Sequence, residues 1–248
     1  MLNPLVRAAA CGREERVRLT VAELARLVDV SAVRTDVALE EVRQVAEVAK
    51  RYNCICAFVL PCYVRDLAAM LSDAPEVGAG GTIGFPSGAH ATAVKVAEAK
   101  QLLADGAVEM DMVANVGFLL SGRYDDVEND IRAVVKAGGG TPIKVILEVH
   151  YLTDDLIRRG AELCVRAGAA FVKTATGWTE TGATPHHISL IKSVVGNQAQ
   201  IKAAGGIRDL ATLVELYRHG ARRFGISLNS GRKILEACAA MPGGAVEI

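Results

Sequence analysis

The sequence predicts an α/β protein, a (β/α)8 barrel in a single domain. Three observations lead there. Eight short apolar runs recur along the chain, amphipathic helical segments separate them, and 248 residues are about what eight strand–helix units require. The runs lack strict apolar–polar alternation, which fits parallel strands covered on both faces. No low-complexity linker or composition shift divides the chain, so 1–248 reads as one domain. An open, doubly wound sheet is the alternative from the same alternation.

Taken in order, the chain opens with a short helical extension over about 1–26, followed by a weak strand at Val28–Val33. Leu39, Val42, Val45 and Val48 then recur at helical spacing. Strands are predicted at Cys54–Leu60, Val77–Gly84 and Val108–Ala114. Val127, Ile131, Val134 and Val135 mark another helix, and Ala137–Gly140 stops it with glycines that tolerate positive φ. After a strand at Ile143–Glu148, Thr153 reads as an N-cap, with Asp154 and Asp155 favouring the positive end of the helix. Leu156, Gly160 and Leu163 line one face of that helix. The last three strands are Phe171–Thr174, Gln200–Ala203 and Arg223–Ser227.

Composition narrows the function. Twenty-eight basic and 28 acidic side chains cancel, leaving no electrostatic footprint for nucleic acid or an anionic membrane. No apolar segment reaches the roughly 18 residues of a membrane span, and the N-terminus lacks a secretory apolar core. A soluble, cytoplasmic protein is expected. The six cysteines (Cys11, Cys54, Cys56, Cys62, Cys164, Cys238) lack the paired spacings of a zinc site and read as buried structural thiols. Neither a metal nor a cofactor is expected.

The chemistry lies in charges at the ends of apolar runs. Lys173 ends Phe171-Val172-Lys173 and Lys202 ends Ile201-Lys202, each followed by a polar turn containing glycine. Functional groups in a barrel sit at such C-terminal strand ends. Two ammonium groups about 5 Å apart repel by about 3 kcal/mol at an effective dielectric near 20. That is roughly two pKa units, bringing a lysine from about 10.4 towards 8 and making it an amine nucleophile at neutral pH. Asp111, within Glu109-Met110-Asp111, is placed to pair with a lysine or to relay protons. Lys144 and Glu148 lie in a fourth run, and an interior network of Asp111, Lys144, Glu148, Lys173 and Lys202 is expected because buried charges need partners. Gly205-Gly206 and Ser227 follow the last two strands, where glycine turns and helix N-termini form phosphate cradles. Of the histidines, His186 and His187 read as surface residues, and His90 is a candidate for the rim of the site.

These motifs resemble the deoxyribose-phosphate aldolase family, the DeoC-type class I aldolases, over roughly Leu27 to Lys233. The Lys173 motif, Lys202 with its double glycine and Glu109-Met110-Asp111 carry the resemblance, supported by Gly84-Phe85-Pro86 and Lys144-Val145-Ile146. It implies a metal-free (β/α)8 lyase that reversibly cleaves 2-deoxy-D-ribose 5-phosphate to D-glyceraldehyde 3-phosphate and acetaldehyde. Lys173 would form the Schiff base, Lys202 would lower its pKa, and Asp111 would move protons. Gly177, Gly205, Gly206, Ser227, Ser31 and Lys144 would hold the substrate and its phosphate. The implied partners are a phosphorylated sugar, a short aldehyde and further copies of the chain, as a dimer or tetramer.

Several positions depart from the family pattern. Phe58-Val59-Leu60-Pro61 stands where Cys-Val-Asn-Pro is usual, Trp178 replaces Phe or Lys, and Leu228 replaces a second phosphate-binding serine. Asp29-Val30-Ser31-Ala32-Val33 only loosely matches Asp-His-Thr-Leu-Leu, although Ser31 keeps a hydroxyl, and Ile248 stands where some members place a proton-carrying tyrosine. These departures leave two alternatives: the same chemistry on another phosphorylated sugar or aldehyde, or a barrel that binds a phosphorylated ligand without lyase activity.

Overall fold

The structure, a computed structural model, describes residues 18–248. Eight parallel strands close into a barrel: β2 (Val28–Ala32), β3 (Cys56–Val59), β4 (Gly78–Ile83), β5 (Glu109–Val113), β6 (Ile143–Ile146), β7 (Phe171–Lys173), β8 (Gln200–Ala204) and β9 (Arg223–Ser227), with β9 pairing back onto β2. Each predicted strand is present, shortened by a residue or two at several ends where the chain turns into a loop. The open-sheet alternative is excluded by the closure. A further strand, β1 (Arg18–Thr20), pairs antiparallel with β10 (Ala245–Glu247) outside the barrel.

The helices are α1 (Val21–Ala25), α2 (Leu39–Tyr52), α3 (Val64–Met70), α4 (Thr92–Ala104), α5 (Val116–Leu120), α6 (Tyr124–Ala137), α7 (Asp154–Arg166), α8 (Pro185–Val195), α9 (Leu210–Arg218) and α10 (Leu228–Ala239). Of the helical extension expected over about 1–26, the described part is the strand β1 followed by the single short helix α1; residues 1–17, with Cys11, lie outside the described residues. Thr20 caps α1 with a reciprocal capping box to Glu23. Thr153 caps α7 as predicted, accepting from the Leu156 N–H, and Gly139 and Gly140 take positive φ after α6. In α2, Val42, Val45 and Val48 face the core. The core of α7 is centred on Ile157, Gly160, Ala161 and Cys164, leaving Leu156 half-buried.

One local feature shapes the barrel interior. β4 begins Gly78-Ala79-Gly80-Gly81, and an added Cβ at Gly80 would lie 2.5 Å from the Phe58 ring. Glycine in register with Phe58 therefore leaves room for that ring inside the barrel. At the opposite foot of the barrel, the Arg26 guanidinium donates to the carbonyls of Asn53, Cys54 and Glu76, tying together the chain entering β3 and β4. Cys54, Cys56, Cys164 and Cys238 are buried free thiols as expected, but Cys62 is exposed, because it sits in the turn Pro61–Tyr63 beyond β3.

Candidate active site

Strand register brings the charged residues to one place. Lys173 and Lys202 are direct partners across β7 and β8, so both side chains enter the barrel on the same side. Asp111 on β5 receives both: its Oδ2 lies 2.6 Å from Lys173 Nζ and 2.7 Å from Lys202 Nζ. All three residues are nearly inaccessible, and together they form the floor of a cavity of about 240 Å³. The cavity opens on the C-terminal face of the barrel, where Ser31, Gly177, Gly205, Gly206 and Ser227 line its walls. Eight of the nine residues expected at the site therefore converge on one space.

The ninth, Lys144, does not. It is wholly buried and lies below the cavity, close to Asp29, Glu109 and Asp111. It is in register with Asp111, and the stagger of the barrel places it one layer deeper than Lys173, whose partner on β6 is Ile146. Lys144 thus balances charge in the layer beneath the site and does not line the cavity. Glu148 also leaves the expected network. In a left-handed conformation (φ 56°), it turns away from the lysines and accepts from the N–H and hydroxyl of Thr176 and from the Thr179 hydroxyl. It holds the loop after β7.

The layer beneath the cavity contains residues that sequence reasoning did not assign a role. Asp29 lies 2.7 Å from Lys202 Nζ, and Arg223 bridges Asp29 and Glu109 at 2.8 Å each. Phe58, which also lines the cavity, stacks against two of the cations, its ring centre 4.1 Å from Lys202 Nζ and 4.3 Å from Lys144 Nζ. The signal for Asp29 and Arg223 was the one that found Asp111: a charge inside an apolar run. Asp29, Cys56 and Glu109 come close enough to resemble a metal-ligand set. Arg223 and Lys144 already engage both carboxylates, and burial holds the Cys56 thiol well above its usual range.

Electrostatics single out Lys173. Burial is the largest influence and pulls its ammonium down; Asp111 opposes this, Lys202 adds to it, and the result is about 8. The expected cause, repulsion from Lys202, is therefore real but secondary to burial. Lys144 behaves oppositely. Burial would lower it as well, but Asp29, Asp111 and Glu109 together raise it above the ordinary lysine range. Asp111 is held below the ordinary carboxylate range by Lys173, Lys202 and Lys144 despite a burial effect that acts the other way. Four cations (Lys144, Lys173, Lys202, Arg223) thus face three carboxylates (Asp29, Glu109, Asp111), and the layer is neutral when Lys173 has lost its proton.

Above this floor the walls are made of backbone and small polar groups. Gly205 and Gly206 take φ of 85° and 80°, and Gly205 packs directly against Gly182. The Ser227 hydroxyl begins α10 without capping it, so that hydroxyl and the first N–H groups of the helix remain free to meet an anion. Arg34, Arg208 and Ser230, none of them expected from the sequence, complete this wall. Leu228, noted above as a departure from the family pattern, is buried and does not line the cavity. Trp178 closes one side of the mouth: its indole N–H donates to the Val33 carbonyl at 3.0 Å, linking the loops after β7 and β2. His90 is exposed and does not line the cavity, His186 is exposed, and His187 is half-buried against the Gly182 carbonyl.

Residues 20–237 match the family model described as DeoC/LacD family aldolase. The chain belongs to this family. A relative named deoxyribose-phosphate aldolase from Klebsiella pneumoniae subsp. pneumoniae is 48% identical over 90% of this chain and 91% of its own length. One of the same name from Sinorhizobium medicae is 43% identical over 91% of each chain. Among solved structures, a putative deoxyribose-phosphate aldolase from Coccidioides immitis superposes with a TM-score of 0.84 at 36% identity, over 88% of this chain and 86% of that one. The deoxyribose phosphate aldolase from Aeropyrum pernix, described as a unique tetrameric structure, gives 0.82 at 29% identity over 90% and 94%. The DeoC-type aldolase fold and lyase class expected from the motifs are those of this family.

Proposed function

We propose that the protein is a class I aldolase that reversibly cleaves 2-deoxy-D-ribose 5-phosphate to D-glyceraldehyde 3-phosphate and acetaldehyde. One observation carries the mechanism: a buried lysine, Lys173, with an amine titrating near 8, stands 2.6 Å from the carboxylate that also receives Lys202. The neutral Nζ adds to C1 of the open-chain sugar, and loss of water leaves an iminium. That cation draws electrons through C2, so the C2–C3 bond breaks as the C3 hydroxyl loses its proton and becomes the aldehyde of the three-carbon product. The remaining two-carbon enamine takes a proton at C2 and is hydrolysed to acetaldehyde, freeing Lys173. Asp111 stands beside the nitrogen that carries positive charge in the iminium, and Lys202 holds Asp111 from the other side. Gly177, Gly205, Gly206, Ser227 and Ser31 would orient the sugar and its phosphate, with the free serine hydroxyl and N–H groups of α10 as anion donors.

The reading is tested by borohydride trapping with acetaldehyde. A two-carbon adduct is expected on the peptide carrying Lys173 and should be absent from Lys173→Ala; an adduct on another residue, or none, would refute it. By the same proposal the protein works in the cytoplasm as a homo-oligomer and binds no nucleic acid. The tetrameric relative supports the oligomer, and among the described residues no helix is long and apolar enough to cross a membrane. Light scattering of the purified protein should give a mass of two or four chains, and a single-chain mass would reject that part.

A further inference from the structure

Among the described residues, two buried polar atoms at the cavity floor have no hydrogen-bond partner. Thr82, on β4, is 1% exposed and lines the cavity, yet its hydroxyl has no hydrogen-bond partner. Asp111 Oδ1 likewise has no hydrogen-bond partner; Lys144 Nζ stands 3.5 Å away. Thr82 and Asp111 are direct register partners across β4 and β5, so both side chains enter the barrel at one level. An unpartnered donor beside an unpartnered acceptor is costly to maintain in a buried site. Such a pair persists most readily where a ligand atom completes it.

We propose that Thr82 is a catalytic residue of imine formation, donating its hydroxyl proton in a hydrogen bond to the oxygen on C1 of the substrate. This rests on Lys173 being the nucleophile. In the carbinolamine that oxygen is two covalent bonds from Lys173 Nζ, and Nζ is itself 2.6 Å from Asp111 Oδ2. The C1 oxygen therefore enters the corner between Asp111 and Thr82. As an aldehyde oxygen it can only accept, and beside a carboxylate it needs a donor. The Lys202 ammonium already lies between Asp111 and Asp29, at 2.7 Å from each. Attack of the Nζ electron pair on C1 forms the C–N bond and moves the π pair of C=O onto oxygen, where the Thr82 O–H stabilises it. A proton then passes from nitrogen to that oxygen. The resulting hydroxyl accepts from Thr82 and donates to Asp111 Oδ1, completing both atoms. It leaves as water on taking one further proton from solvent, and the nitrogen lone pair closes the C=N bond. Thr82 gives up no proton overall.

Thr82→Val keeps the shape and removes the donor; Thr82→Ser keeps the donor. Pre-steady-state trapping of acetaldehyde on Lys173 isolates imine formation from sugar binding. The Val variant should trap at least about tenfold more slowly, with KM for the sugar phosphate within about threefold of wild type. The Ser variant should stay within about threefold on both measures. The acid limb of the pH profile should be unchanged in both, because the hydroxyl acts on the electrophile and not on the ionisation of Lys173. Thermal melting should place the Val variant no lower than wild type, since it loses no folded-state hydrogen bond. A Val variant that traps at the wild-type rate overturns the proposal. So does a Val variant that melts well below wild type, which would show that the hydroxyl has a structural partner, or a Ser variant as slow as Val. Absence of any Lys173 adduct in the wild type would instead overturn the proposed nucleophile, so the two failures are distinct.

Discussion

At Lys173, three opposing influences set one ionisation, and each has a sign that mutation can read. The neutral amine is the reactive form, so kcat/KM should rise about tenfold per pH unit below the ionisation near 8 and level off above it. Asp111 favours the ammonium and Lys202 disfavours it. Asp111→Asn should therefore move that limb to lower pH, while also lowering the rate by removing the counter-charge of the iminium. Lys202→Met should move it to higher pH, though only modestly, because burial dominates. Profiles of kcat/KM for the three proteins check both signs, and limbs that coincide or move in the opposite order would contradict this account. Phe58 offers a test of the floor itself. It is 2% exposed and stacks against Lys144 and Lys202, so Phe58→Ala should cost about 3–5 kcal/mol of stability, measured by urea unfolding. The ring is accommodated by Gly80 opposite it, where a Cβ would lie 2.5 Å from the ring.

Among the elements, the loops after β7 and β8 depend on glycine meeting glycine. A Cβ on Gly182 would lie 2.2 Å from the Gly205 carbonyl oxygen, a contact that only backbone movement can relieve. Gly182→Ala should displace the Gly205-Gly206 wall and raise KM for the sugar phosphate tenfold or more, while acetaldehyde, which needs no phosphate cradle, should still be trapped on Lys173 at near the wild-type rate. Kinetics with the two substrates separate these outcomes, and equal losses on both would argue against a wall specific for phosphate. The strands and lysine-bearing ends were legible because burial on both faces leaves a continuous apolar run in which a charge stands out. Lys144 and Glu148 satisfied the same rule and yet left the site. The stagger of the barrel decides depth, and one left-handed residue decides direction; neither leaves a mark in local composition. Asp29 and Arg223 pair across 194 residues of chain, a separation over which spacing carries no information.

The molecule as a whole is organised around a charged layer sealed inside an apolar barrel. The carboxyl groups of Asp29 and Asp111 are held below the ordinary range by their lysine and arginine partners against the effect of burial. A depressed folded-state value means that the stabilisation is complete above the unfolded value, about 3.9, and drains away as pH falls through it towards the folded values. Urea midpoints should therefore change little through the upper part of the acid range and fall steeply below about pH 4. A profile flat to pH 3 would show that the layer contributes little to cohesion.

The strand β1, its partner β10 and the Arg26 bridge all lie at the foot of the barrel, where β2 begins. Polypeptide fused after residue 248 thus emerges on the side of the barrel away from the mouth. A bead, a fluorescent partner or a second enzyme hung there would leave the entrance unobstructed, and a surface-tethered preparation should turn over its sugar as fast as the freely diffusing one.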